Sequence, residues 1–164
     1  MKDRRLEEAL RHLAPPAGTQ LWHGGASVLG ALRGVSPAVA AWKPYPDRNS
    51  IWKLALHIAY WNYAVTRRLT DAPSGGFPRS PSNWPHLPPE RRPATWKADR
   101  RVVKDSHDRL VDAIRRFDSS RLDDFAASEQ TTYADLVTGI VLHDTYHTGQ
   151  IQLLKRLARS EGLR

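Results

Sequence analysis

A chain of 164 residues has the length of one domain, and its 40% hydrophobic residues are enough to bury a core. It contains no cysteine, which excludes disulfides, thiolate metal ligands and cysteine nucleophiles. No apolar run is long enough for a membrane-spanning helix and the N-terminal segment lacks a signal-peptide pattern, so we expect a cytoplasmic protein without a membrane partner.

The net charge of +8 can attract an anionic substrate or a nucleic acid. The basic residues are spread along the chain, however, and several are adjacent pairs that cannot share one helix face. No basic stripe with interleaved aromatic residues and no known DNA- or RNA-binding motif accompanies them. We therefore do not expect a nucleic-acid partner, and we retain a basic nucleic-acid-binding protein only as a second alternative function.

The first third of the chain predicts two helices and one short turn. Leu6, Leu10 and Leu13 share one face of an N-terminal helix that Pro15 and Pro16 end. Thr19 then caps a predicted first core helix that runs to about Arg33. Two glycines, Gly24 and Gly25, weaken this prediction. Ser36 and Pro37, a cap followed by a proline at the first helical position, predict a short turn that ends near Trp42. Pro44 and Pro46 keep the chain after it extended.

The middle of the chain predicts one strong helix and one long connection. Asn49 or Ser50 caps a helix from Ile51 to about Leu69, whose apolar residues recur at steps of 4, 3 and 4. Seven of the chain's twelve prolines then fall in 70–95. We favour a crossover around a helical bundle for this segment over a lid, because bundles often contain one long connection.

The last third predicts two more long helices. The first runs from Trp96 to Phe117, and the second from about Tyr133 to Ala158. Thr132 with Asp135 three residues later resembles a capping box at the start of the second helix. The whole pattern predicts an all-α fold, a four-helix bundle in one domain over 1–164 with a short N-terminal helix and the proline-rich connection within it.

Two histidines interrupt the apolar stripe of the last helix. His143 and His147 lie four residues apart, so both imidazoles project from one side of the helix. The zinc-binding HExxH helix uses the same spacing, although its glutamate is missing here. The alternative is an ordinary pair of core histidines, but burying both without partners would be costly.

A third histidine fits the same site. His57 lies on the inner face of its helix, beside Ile58 and between Leu54 and Trp61. Two helices of a bundle can bring it to the pair, and three imidazoles with an open position are typical of a catalytic metal site. Imidazole ligands suit zinc, nickel, copper and iron equally well.

Further site candidates lie near these histidines. His23 is a candidate pocket residue or fourth ligand, and Trp61 is a candidate for the pocket lining. Gln150 and Asp144 are candidates to bind the second ring nitrogens, although Asp144 is equally compatible with an exposed acid. The remaining histidines are assigned to packed or surface positions: His12, His86 and His107.

Two segments carry a resemblance to a known family. The segment SIWKLALHIAYW from Ser50 to Trp61 resembles the second-helix motif of the DinB-like superfamily, and LHDTYHTGQIQLLK from Leu142 to Lys155 resembles its final-helix motif. The resemblance covers roughly residues 19–157. It implies a bundle of up-down-down-up topology, homodimers, and a divalent ion, zinc or nickel, on His57, His143 and His147.

The resemblance also sets the expected activity. Relatives include thiol S-transferases, a thiol-dependent isomerase and metal-dependent hydrolases, so we expect a metal-dependent transferase or hydrolase that acts on a small electrophilic substrate. A low-molecular-weight thiol is the expected second cofactor, while the absence of an accessory domain makes isomerisation less favoured. The alternative is a non-catalytic metal-binding or stress-response protein of the same fold.

Overall fold

The computed structural model describes residues 3–21, 23–73, 75–126 and 130–163. Helices joined by turns and irregular segments make up this part of the chain, and it contains no β-strand. This confirms the predicted all-α helical bundle. Within these residues no helix is long and apolar enough to cross a membrane. The helices are α1 (Arg4–Leu13), α2 (Val28–Ala31), α3 (Pro37–Ala41), α4 (Ile51–Leu69), α5 (Pro93–Arg116) and α6 (Tyr133–Ser160).

The predicted first core helix from Thr19 to Arg33 is wrong. Only α2 is helical in that range, and the chain before it is irregular. Gly24 has φ +70°, in the left-handed region that a right-handed helix cannot contain. Ser27 then starts α2 instead, because its hydroxyl accepts a hydrogen bond from the Gly30 N–H at 3.3 Å.

The starts of α3, α4 and α6 were predicted correctly because their signals are local. Ser36 and Ser50 cap α3 and α4 through side-chain oxygens that accept hydrogen bonds from Val39 and Lys53. The Thr132 hydroxyl and the Asp135 carboxylate form the predicted capping box of α6. Helix α5 begins earlier than predicted, at Pro93, since a proline at the first helical position loses no hydrogen bond.

Two hydrophobic clusters fill the bundle, one toward each end of the long helices. The first joins the start of α4, the start of α5 and the end of α6, and α2 and α3 cover it. The second joins the end of α4, the end of α5 and the start of α6, and α1 covers it. Helices α4 and α5 therefore run in the same direction and α6 runs against them, which explains why a long connection must join α4 to α5.

The proline-rich connection packs on the bundle. Phe77 and Trp84 are partly buried against the first cluster. The connection is also tied down by charge, because the Arg79 guanidinium pairs with Asp99 of α5, a side chain with no solvent exposure. The other carboxylate oxygen of Asp99 accepts a hydrogen bond of 2.7 Å from the indole of Trp52.

Candidate metal centre

The three histidines singled out in the sequence meet between α4 and α6. One ring nitrogen from each of His57, His143 and His147 lies within 4.8 Å of the others. The Nε2 atoms of His57 and His143 are 3.1 Å apart. Two nitrogens bound to one tetrahedral zinc ion are separated by roughly 3.3 Å. The separation of this pair is therefore close to that of two nitrogens on one cation, and the third imidazole lies within 4.8 Å of them.

The packing of the helices explains the meeting. His57 is buried in the middle of α4, with 5% of its surface exposed, and lies among residues that are almost all buried. His143 and His147 lie one turn apart on α6, so both point to the same side. Because α4 packs against α6 over much of its length, residues 86 and 90 positions apart in the sequence become neighbours.

Each imidazole is oriented by an acceptor at its Nδ1 atom. His57 Nδ1 lies 2.8 Å from the carbonyl oxygen of Asn83, and His147 Nδ1 lies 2.7 Å from the side-chain oxygen of Gln150. His143 Nδ1 lies 3.4 Å from an Asp144 carboxylate oxygen. When Nδ1 carries the donated proton, Nε2 keeps its lone pair. The Nε2 lone pairs of His57 and His143 then face each other, an arrangement that a cation satisfies.

The environment keeps two of the rings neutral. Burial lowers the pKa of His57 to about 4, with a further contribution from the other two imidazoles, while the hydrogen bond that the ring donates to the Asn83 carbonyl partly opposes this shift. Burial likewise lowers the pKa of His147. These rings are therefore unprotonated at neutral pH, which is the form that binds metal.

Asp144 is buried, with 2% of its surface exposed, so the alternative of an exposed acid is wrong. Its position about 100° around the helix from His143 still faces the interior, because α1 and the chain before α2 cover that side of α6. Burial raises the pKa of Asp144, and the imidazole of His143 opposes this shift. One of its oxygens has no hydrogen-bond partner within the described chain.

Two tryptophans form walls beside the histidines. The Trp84 ring stacks on His57 with centroids 3.7 Å apart and planes within 7° of parallel. The Trp61 centroid lies 5.9 Å from that of His143, and its indole N–H donates a 3.0 Å hydrogen bond to the Asn83 side chain. Trp61 therefore lies beside His143, and its role as a pocket-lining residue stays a prediction.

His23 does not join the cluster, contrary to its assignment as a candidate fourth ligand. It is exposed in the irregular chain before α2, and its Nδ1 accepts a hydrogen bond of 3.1 Å from the Gly25 N–H. Its ring stacks on His12, with centroids 6.1 Å apart. The assignment failed because the helix that would have placed His23 inside the bundle does not form.

Sequence reasoning missed the contribution of the proline-rich connection. Asn83 and Trp84 both contact His57, yet neither was among the predicted site residues. Neither lies in a periodic pattern, so nothing in the local sequence marked them. Their positions follow from the path of the connection across the bundle.

The sequence profile of the DinB superfamily matches residues 20–151. The match spans most of the chain and includes all three clustered histidines and Gln150. No curated protein and no solved structure matches the chain significantly.

Proposed function

The chain belongs to the DinB superfamily, and on that basis we propose that it binds one divalent metal ion, zinc or nickel, through His57, His143 and His147. The observation that carries the proposal is the convergence of three imidazole nitrogens within 4.8 Å. The acceptors at the Nδ1 atoms support it, because metal-bound histidines commonly donate their second N–H to such groups.

We further propose that the centre serves a metal-dependent transferase or hydrolase that acts on a small electrophilic substrate. Within the described chain no fourth His, Asp or Glu joins the three histidines, which leaves a coordination position for water or a thiol. A divalent ion bound there lowers the pKa of such a ligand and makes it a nucleophile near neutral pH. The net charge of +8 favours an anionic low-molecular-weight thiol as co-substrate.

The residues around the centre have separable roles in this proposal. Asn83, Asp144 and Gln150 hold the imidazoles in one orientation, so the ligands need little reorganisation when the ion binds. The Trp84 ring covers one face of His57 and limits the access of water from that side. The side chain of His143 remains 22% exposed, which provides an approach for substrate.

A non-catalytic metal-binding protein is the second candidate. The stacked Trp84 and the burial of His57 and His147 favour it, because a covered site suits a structural ion. Exchange of a metal-bound water would distinguish the candidates, since only the enzyme requires it.

For either candidate we propose a homodimer, supported by exposed apolar residues on α6 that include Leu142, Tyr146 and Leu153.

Metal content tests the proposal directly. We expect about one equivalent of metal in the wild type purified without a metal-affinity tag, and almost none in His143→Ala, because two imidazoles cannot replace the three-ligand site. His86→Ala, which alters an exposed histidine outside the cluster, is the matched control and should keep its metal. Equal metal content in His143→Ala and the control would refute the site. Thiol-transfer assays of the metal-loaded wild type would then separate the enzyme from the non-catalytic protein.

A further inference from the structure

A second cavity lies away from the histidines, between α4, α5 and the start of the proline-rich connection. Its volume is about 450 Å³, within the range of small-molecule sites. Its charged lining comes from Arg67 of α4 and from Asp105 and Arg109 of α5, and Ser106 of α5 lies among them. None of the three clustered histidines, and none of the residues that orient them, lines this cavity.

The cavity contains two guanidinium groups without partners. Within the described chain, neither Arg67 nor Arg109 makes a side-chain hydrogen bond or an ion pair. Arg79 differs, since it is paired with a buried aspartate. Asp105 supplies one negative charge to the lining, so the two arginines leave an excess of one positive charge. Planar guanidinium groups bind carboxylate and phosphate oxygens through paired hydrogen bonds.

Ser106 adds a hydroxyl to the lining of the cavity. The residue is 9% exposed, and its hydroxyl has no hydrogen-bond partner within the described residues. A serine inside a helix commonly donates to the carbonyl one turn earlier, and Thr66 of α4 does so here at 2.6 Å. The Ser106 hydroxyl is instead available to a ligand in the cavity.

An apolar and aromatic wall also lines the cavity. Phe77 and Pro78 of the connection form it together with Val102, which lies on α5 one turn before Ser106. The Phe77 ring is held between Tyr60 and Tyr63, with centroids 5.5 Å and 5.6 Å away. This wall can cover a compact hydrophobic group while the arginines bind a charged one.

We propose that this cavity binds a small organic oxyanion, a carboxylate or a phosphate ester, that carries a compact apolar body. Arg67 and Arg109 bind the oxyanion and the Ser106 hydroxyl donates to one of its oxygens. Phe77 and Val102 cover the apolar body. Asp105 weakens the binding of a dianion because its charge faces the same space. The site does not depend on the metal centre, since no residue is shared between them.

Phenyl phosphate is the probe for this site. Titrations followed by ¹⁵N–¹H NMR use the full chain after its metal has been removed with a chelator and the chelator has been dialysed away, so that the histidine centre holds no metal and cannot bind the anion. We expect the amide signals of Ser106 and Arg109 to shift. Benzoate tests whether a carboxylate serves as well as a phosphate, and inorganic phosphate should bind at least about tenfold more weakly if the apolar wall contributes. Benzyl alcohol, which lacks the charge, should not bind.

Matched variants locate the binding. Arg67→Gln and Arg109→Gln should each weaken phenyl phosphate by about tenfold or more, because each removes a charge-assisted hydrogen bond. Arg68→Gln and Arg101→Gln alter neighbouring arginines on the same helices that do not line the cavity, and should bind like the wild type. Asp105→Asn should bind more tightly. All of these residues lie at least partly exposed, so circular dichroism should show folded variants.

Three results would overturn the proposal. The first is the absence of shifts at the cavity amides in the wild type, and the second is equal affinity in Arg67→Gln, Arg109→Gln and their controls. The third is equal affinity for inorganic and phenyl phosphate, which would remove the apolar body from the ligand. None of these results bears on the metal centre, because every titration uses metal-free protein.

Discussion

His107 shows what a single buried titratable side chain does in this bundle. It lies on α5 with 4% of its surface exposed, and its ring is hydrogen-bonded to the backbone of Leu13. Its Nδ1 has no partner within the described chain. Burial lowers the pKa of His107, and the nearby charge of Asp144 opposes this shift only in part. The folded chain therefore favours the neutral ring.

The lowered pKa of His107 predicts a loss of stability in acid. An unfolded histidine takes up a proton below about pH 6.5, while the folded ring does so only at lower pH. The free energy of unfolding should therefore fall as the pH drops below about 6.5, and His107→Gln should make this fall shallower. Urea denaturation at pH 7.5 and pH 5.5, with chelator present, measures the difference.

His86→Gln is the control for that measurement, since His86 is exposed in the folded chain. Its pH dependence should equal that of the wild type. The buried histidines of the metal centre contribute equally to all three proteins, so they cancel in the comparison. A fall in stability that is the same in His107→Gln and in the control would mean that His107 does not cause it.

At the scale of elements, the proline-rich connection is an active part of the site. It supplies the carbonyl of Asn83 and the ring of Trp84 to His57. Four residues before Asn83, the Arg79 guanidinium binds the buried carboxylate of Asp99. The ion pair therefore fixes the part of the connection that reaches the histidines.

Arg79→Met should weaken both the fold and metal binding. Removing the guanidinium leaves the Asp99 carboxylate with only the Trp52 indole, and breaking a buried pair in this way costs about 3 kcal/mol. Chemical denaturation measures this loss, and competition with a chromogenic chelator measures the metal affinity. Because Asn83 and Trp84 are then less firmly held, we expect the affinity to fall as well.

Two further variants test that cause. Arg91→Met changes an exposed arginine of the same connection and should change neither quantity. Arg79→Met combined with Asp99→Asn should be less destabilised than Arg79→Met alone, because no unpaired charge remains buried. A metal affinity in Arg79→Met equal to that of Arg91→Met would show that the ion pair does not position the site.

At the scale of the whole molecule, a metal ion on the three histidines would cross-link α4 to α6, two helices that are far apart in the sequence. His57 lies on α4 and the other two on α6, and these helices contribute to both core clusters. An ion that binds only the folded chain stabilises it by mass action. Binding should therefore be visible in the stability of the entire bundle.

Metal removal should lower the melting temperature of the wild type. At a free metal concentration 100 times the dissociation constant, the stabilisation is about 2.7 kcal/mol, which corresponds to roughly 5–10 °C for a domain of this size. Thermal unfolding with added zinc and with chelator measures it. His143→Ala should show no such difference, whereas His86→Ala should behave like the wild type. A wild type that melts at one temperature under both conditions would contradict metal binding by the folded chain.

The sequence alone determined the long helices, most of their caps and the shared face of His143 and His147, whereas the meeting of that pair with His57 required the packing of α4 against α6. These features depend on interactions within about one helical turn: a cap bonds its own first turn, and residues four apart share a face, as His143 and His147 do. Such signals lie within a few consecutive residues, so predicting them requires no knowledge of contacts between distant segments.

Only the tertiary structure decided the fate of His23, the burial of Asp144 and the contacts of Asn83 and Trp84. The predicted helix from Thr19 to Arg33 does not form, because Gly24 adopts a left-handed conformation and Ser27 caps the shorter α2 instead. His23 therefore lies outside the bundle. Asp144 is buried because α1 and the chain before α2 pack over it, and Asn83 reaches His57 because an ion pair holds its connection. Each outcome depends on segments far apart in the chain, where no sequence period specifies which residues will meet.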